Sequence, residues 1–208
     1  MKYEWRKQNK EIYLPKAKPQ ILDVAKYQFF TISGKGNPND EIFSEAIGVL
    51  YKLSYAVKML PKKGIIPDGS FDYTVFPLEG IWEKEDESEP MNKDKLIYTI
   101  MIRQPDFVTN EIAETVIESV KNKNPHTLLD KVKFEKICDG TCVQMLHIGS
   151  YDDEQISFEQ MDIFCNENSL KRVSNKHREI YISDAKKVEK SKLKTVLRYS
   201  VATSPLSS

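Results

Sequence analysis

Cysteine and histidine are scarce in this chain, net charge is absent and long apolar runs are missing. Each shortage excludes a class of protein. Three cysteines in 208 residues cannot form a disulfide framework, and an odd count points to reduced thiols. Cys138 and Cys142 have a ligand-like spacing, but Asp139-Gly140 between them is a two-residue hairpin signal. No second pair completes a tetrahedral zinc site, and His126, His147 and His177 are scattered. No metal or other cofactor is expected. The 31 basic residues match 31 acidic ones, which argues against a surface that tracks nucleic acid or an anionic membrane. No apolar run approaches the roughly 18–20 residues of a membrane-spanning helix. The opening MKYEWRKQNKEIYLPKAKPQ also lacks the apolar core of a secretory leader. The expectation is a cytoplasmic protein with no membrane partner.

What the chain does contain is ordinary globular composition, 40% hydrophobic and 30% charged. Asn37-Pro38-Asn39-Asp40 opens a helix expected over 38–60, with Pro38 at its first position. Its stripe is Phe43, Ala46, Ile47, Leu50, Leu53, Val57 and Leu60, closed by Pro61 and Gly64. A second helix is expected over 109–123 and a third over 157–170. Strands are expected at 27–33, 73–82, 96–102, 132–138, 142–148, 179–183 and 195–201. Asp139-Gly140 predicts a hairpin between the fourth and fifth of them. An acidic loop spans 83–94, and a Ser-rich tail, 202–208, is expected to fray.

Read in order, strand, helix, strand, strand occurs twice, with an extra helix and strand between. The predicted fold class is α+β: two βαββ repeats, about 21–105 and 126–201, in one domain behind a short N-terminal extension, 1–20. Their strands form an antiparallel sheet with helices on one face, and a cleft is shared between the halves.

Strand alternation suggests what lines that cleft. In Glu179-Ile180-Tyr181-Ile182 the isoleucines point to the helix-covered core, and Glu179 and Tyr181 to the open face. Glu79 and Trp82 bring a second carboxylate and aromatic to a strand end, although Pro77 and Gly80 loosen the parity there. Tyr98 and Tyr151 could close an aromatic wall. Aromatic faces and a desolvated carboxylate suit planar, hydrophobic or cationic ligands, and desolvation draws a glutamate toward general-base duty. The same alternation also fits a plain solvated sheet face.

A family resemblance bears on that choice. The run His177-Arg178-Glu179-Ile180-Tyr181-Ile182-Ser183-Asp184, then Lys192-Leu193-Lys194-Thr195-Val196-Leu197-Arg198, resembles the C-terminal signature of the GyrI-like small-molecule-binding superfamily. His147-Ile148-Gly149-Ser150-Tyr151-Asp152-Asp153-Glu154 resembles its preceding strand, turn and helix entry. The resemblance implies two βαββ units and a pocket at their junction. Glu179 falls on the pocket glutamate, Tyr181 and Tyr151 on lining positions, and Trp82 and Glu79 follow less closely. It also implies several functions: sequestering a xenobiotic, hydrolysing cyclopropane-bearing DNA alkylators with Glu179 and Tyr181 as catalytic residues, or a protein-interaction role of the gyrase-inhibitory kind. About 20 residues precede the first expected strand, which leaves no room for a DNA-binding module. Lys186, Lys187, Lys190, Lys192 and Lys194, broken by Glu189, read as a solvated turn.

Overall fold

The structure, a computed structural model, describes residues 2–85 and 92–203. Residues 86–91 of the expected acidic loop and 204–208 of the expected frayed tail lie outside them. The chain opens with two single-turn helices, α1 (Trp5–Gln8) and α2 (Lys10–Tyr13), then strands β1 (Gln20–Val24) and β2 (Tyr27–Lys35). Helix α3 (Glu41–Lys58) leads to β3 (Leu78–Lys84) and β4 (Leu96–Gln104). Helix α4 (Asn110–Lys123) precedes β5 (Lys133–Ile137) and β6 (Gly140–Ile148). Helix α5 (Glu154–Glu167) is followed by β7 (Leu170–Arg172), β8 (His177–Tyr181) and β9 (Lys194–Thr203). The strand, helix, strand, strand order is present as β2-α3-β3-β4, and the later run carries the short β7 as well, β6-α5-β7-β8-β9.

The strands form one antiparallel sheet in the order β1-β6-β9-β8-β3-β4-β2-β5, with β7 added beside β9. Its two ends belong to a single broken ladder. Gln20 pairs with Gln144 and Val24 with Gly140, then Tyr27 pairs with Ile137 and Thr31 with Lys133. The register is unchanged across the break at Ala25-Lys26 and Cys138-Asp139, so the sheet curls until its ends meet. The hairpin expected at Asp139-Gly140 is therefore absent. Gly140 does adopt the left-handed φ of +64°, but β5 and β6 run on as one bent strand. Asp139 turns inward to two arginines instead.

The helices lie on the outer face. Phe43 of α3 meets Trp82 and Tyr98 at 5.6 and 4.9 Å between ring centres, and Met161 and Cys165 of α5 pack with Met145, Leu197 and Tyr199. Other boundaries moved for local reasons. Asn37 Oδ1 accepts the Asn39 N–H at 3.0 Å, so Pro38 sits in a turn ahead of α3. Tyr73 forms a parallel bridge with Tyr3, and the second expected strand starts only at Leu78, after Pro77. Thr109 caps α4 by accepting the Ile112 N–H at 3.3 Å.

The inner face is not open, as the sequence suggested; the N-terminal segment fills it. Trp5, Ile12 and Tyr13 are buried in the main core. The Trp5 indole donates to the Val75 carbonyl at 3.0 Å, and Arg198 donates to the Ile12 carbonyl at 2.9 Å. Ile180 therefore faces this segment rather than the helices. Beside it lies a buried ion cluster. Arg178 bonds Glu79 at 2.8 Å and Asp139 at 2.6 Å, and Arg198 bonds Asp139 at 3.2 Å. About 10 Å³ of open space remains among them, room for one water.

Burial pushes the Asp139 carboxyl up, but Arg178 and Arg198 together outweigh burial and hold it below the usual range. Its stabilising contribution is present above the ordinary carboxylate pKa and lost as pH falls through the lowered value. Arg178→Met leaves buried Glu79 without its ion partner and Asp139 with Arg198 alone, and should cost about 3–5 kcal/mol, read from urea denaturation midpoints. Adding Glu79→Gln should recover part of that loss; an unchanged midpoint in the single variant would mean that the cluster adds nothing.

Candidate functional site

The sheet order leaves a strip between the two long helices. α3 packs over β4 and β2 and α5 over β6, and the outer face of β8 and β3 lies midway between them, with Phe43 of α3 against Trp82 on one side and Phe158 of α5 against His177 on the other. Residues on that strip follow from the register: Glu179 lies opposite Gly80, and His177 opposite Trp82. Glu179 is the centre of the strip. Its Oε1 accepts from His177 Nε2 at 3.0 Å and its Oε2 from the Tyr181 hydroxyl at 2.8 Å. That hydroxyl in turn accepts the Trp82 indole N–H at 2.9 Å. The two donors fix the carboxylate in position, and its side chain is 13% exposed.

A second carboxyl meets it from α5. Glu154, the first residue of that helix, is only 7% exposed, and its Oε1 has no hydrogen-bond partner. Burial first, then the adjacent Glu179 charge and a hydrogen-bonding contact with it, raise Glu154 to about 10. A helix N-terminus favours the ionised form by no more than about 1–2 kcal/mol, which these effects outweigh. Glu154 thus keeps its proton at neutral pH, beside the Glu179 carboxyl. Burial also raises the Tyr181 hydroxyl well above its usual value, so it stays a donor.

The aromatic wall is partly as expected. Tyr151 stands edge-on to Tyr181 at 5.9 Å and remains 39% exposed, so it borders the groove. Trp82 is 5% exposed and backs the groove through its hydrogen bond instead of lining it. Tyr98 lies one step further in, its ring over Gly34, where a Cβ would come within 2.5 Å of the tyrosine oxygen. Glu79 is not in the groove. Leu78 opens β3 after Pro77, and the pairing then puts Gly80 and Trp82 outward and Glu79 inward, onto Arg178. The structure brings Glu179, Tyr181, Trp82 and Tyr151 together, and adds His177 and Glu154.

Glu154 had a signal in the sequence: it lies on the inward stripe with Ser157, Met161 and Cys165, an acid where an apolar residue belongs. His177 alternates with Glu179 and Tyr181 and shares their face. The turn that delivers Tyr151 and Glu154 is pinned by buried His147, whose Nε2 donates to the Ser150 carbonyl at 3.0 Å while Nδ1 accepts from Ser157 at 2.9 Å. No group of three or more His, Cys, Asp or Glu among the described residues is placed to hold a metal ion.

The comparisons with known proteins agree with this architecture. The GyrI-like small molecule binding domain matches residues 17–200. A hydrolase from Listeria innocua is 34% identical, covers 97% of this chain and all of its own, and superposes with a TM-score of 0.91. An uncharacterised conserved protein from the same organism is 35% identical over the same shares, also at 0.91. The C-terminal domain of EcmrR shares the fold alone, at 14% identity over 89% of this chain and 98% of its own, with a TM-score of 0.53. No curated protein matches.

Two outcomes follow from the site's construction. An unfolded glutamate titrates near 4.5, so folding at neutral pH makes Glu154 take up a proton. Its contribution to stability is greatest below pH 4.5, declines as pH rises and levels off above about 10. Glu154→Gln has no such proton and should be more stable at pH 8, by about 1–3 kcal/mol, with a flatter profile in urea titrations. In Gly80→Ala the new methyl would sit 2.7 Å from the Trp82 indole nitrogen. The indole must move, and the shift should appear in tryptophan emission together with about 1–3 kcal/mol of destabilisation.

Proposed function

The chain belongs to the GyrI-like small molecule binding domain family, and from that premise we propose that it binds planar, hydrophobic or cationic small molecules in the groove between α3 and α5. We further propose that it hydrolyses those carrying a strained cyclopropane. The observation that carries this reading is the Glu179 carboxyl, held by Tyr181 and His177 beside Tyr151. In this reading Glu154 keeps its proton and Glu179 carries the charge of the pair. A carboxylate in that state can attract a cationic ligand and can take a proton from water. The Listeria innocua relative carries the name hydrolase, which supports water as the second reactant.

In this mechanism the planar ligand lies against Tyr151 and Tyr181, and the strained ring faces Glu179. Water attacks the ring carbon as Glu179 takes its proton; the ring C–C bond breaks and its electron pair passes into the conjugated carbonyl of the ligand. Tyr181 and His177 keep the carboxylate oriented throughout, so little reorganisation is needed at the moment of attack. The free thiols of Cys138, Cys142 and Cys165 fit a reducing, cytoplasmic site of action.

Glu179→Gln should lower turnover of a cyclopropane-bearing alkylator by about 10²–10⁴-fold while neutral ligands still bind. Product analysis by mass spectrometry checks this: a hydrated, ring-opened compound at many turnovers supports hydrolysis. Recovery of intact alkylator bound one to one would leave a sequestering protein.

A further inference from the structure

The cyclopropane reading leaves one group idle. When a conjugated cyclopropane opens, the departing electron pair moves to an oxygen several bonds away, so no acid is needed beside the ring. Yet Glu154 places a carboxylic acid directly against the base, with one oxygen buried and unpartnered. An acid and a base in contact match a different strained ring, one whose leaving atom adjoins the carbon that water attacks.

From the contact of the Glu154 and Glu179 carboxyls at the foot of an aromatic groove, we propose that the protein also opens aryl epoxides, with Glu154 as the acid and Glu179 as the base. The inference rests on the reading of Glu179 as the residue that activates water. Water forms a bond to one ring carbon, and the C–O bond of that carbon breaks with its electron pair kept by oxygen. Glu154 gives its proton to that oxygen while Glu179 takes one from the water, and the product is a vicinal diol. The pair still holds one proton, now on Glu179, and its return to Glu154 across their contact resets the site. Atoms and charge balance without an oxidant, a reductant or a further reactant.

Several features favour this chemistry. Protonation of Glu154 persists to about pH 10, so the acid is present at neutral pH in contact with Glu179. The Glu179 oxygens are each tied to a donor, which leaves Glu154 as the carboxyl with an unassigned oxygen. Tyr151 stands edge-on to Tyr181 and is 39% exposed, so its ring is accessible to pack against an arene oxide.

The test is to incubate the full chain with phenanthrene 9,10-oxide, in parallel with a cyclopropane-bearing alkylator, in oxygen-18 water. Expected is multiple-turnover formation of the diol, with solvent oxygen incorporated in the first turnover. Glu154→Gln should lower the diol rate by about 100-fold or more, a clearly larger factor than its effect on cyclopropane opening. Glu154→Asp should restore part of the diol rate. Diol formation unchanged in Glu154→Gln would overturn the acid assignment. Unlabelled oxygen in the first-turnover diol would overturn the base role in this reaction, since it marks a carboxylate ester. An opened cyclopropane with no diol would remove the epoxide activity and leave the proposed function standing; binding with neither product would remove both.

Discussion

The ion pair between Arg178 and Glu79 lies at the centre of the curled sheet, and the groove on the opposite face depends on it. Neighbouring strand residues point to opposite faces, so Arg178 inward obliges His177 and Glu179 to point outward. The 2.8 Å bond from Arg178 to Glu79 ties β8 to β3. In that register Gly80 falls opposite Glu179, leaving space for the Trp82 indole to fold over and reach Tyr181. A slip of one residue would turn Glu179 into the core and Arg178 into the groove. The cluster therefore specifies the arrangement, whatever its net contribution to stability. The N-terminal segment closes over it, giving residues 2–16, which precede the family match, a structural part in the site.

Much of this was legible in the sequence, and the failures have physical causes. The α3 stripe, the doubled βαββ order and the shared face of Glu179 and Tyr181 all follow from local periodicity, which survives folding wherever one side of an element is buried. Which face those residues share was misread, because the inner side is covered by a segment with no period to detect. Trp5, Ile12 and Tyr13 sit on single-turn helices too short to show a stripe. Glu79 was misplaced because Tyr73 to Pro77 extended the apparent strand, and a parity counted through a proline is not a pleat. Asp139-Gly140 has the composition of a hairpin turn, but the two arginines across the sheet compete for Asp139 and win. That competition links residues far apart in sequence, and no local pattern encodes it.

Glu154 is a different kind of omission. An acid on an apolar stripe is a local conflict, and a conflict of that sort marks a site where stability gives way to another requirement. Burial keeps its proton on at a cost to folding that grows through the neutral range. An apolar residue would complete the stripe without that cost.

What the retained proton is for separates two kinds of groove. The fold itself does not decide, since the EcmrR domain has it at 14% identity. A site that only held a cation would gain most from two ionised carboxylates, each adding attraction to the ligand. Keeping Glu154 protonated halves that charge, so cation binding alone gives no reason for the residue. For proton transfer the arrangement is the useful one: a base fixed by two donors, and an acid beside it in a site where burial strengthens both interactions. The physics of the pair thus fits the proposed chemistry better than storage, with the aromatic wall in the role of positioning the proposed ligand.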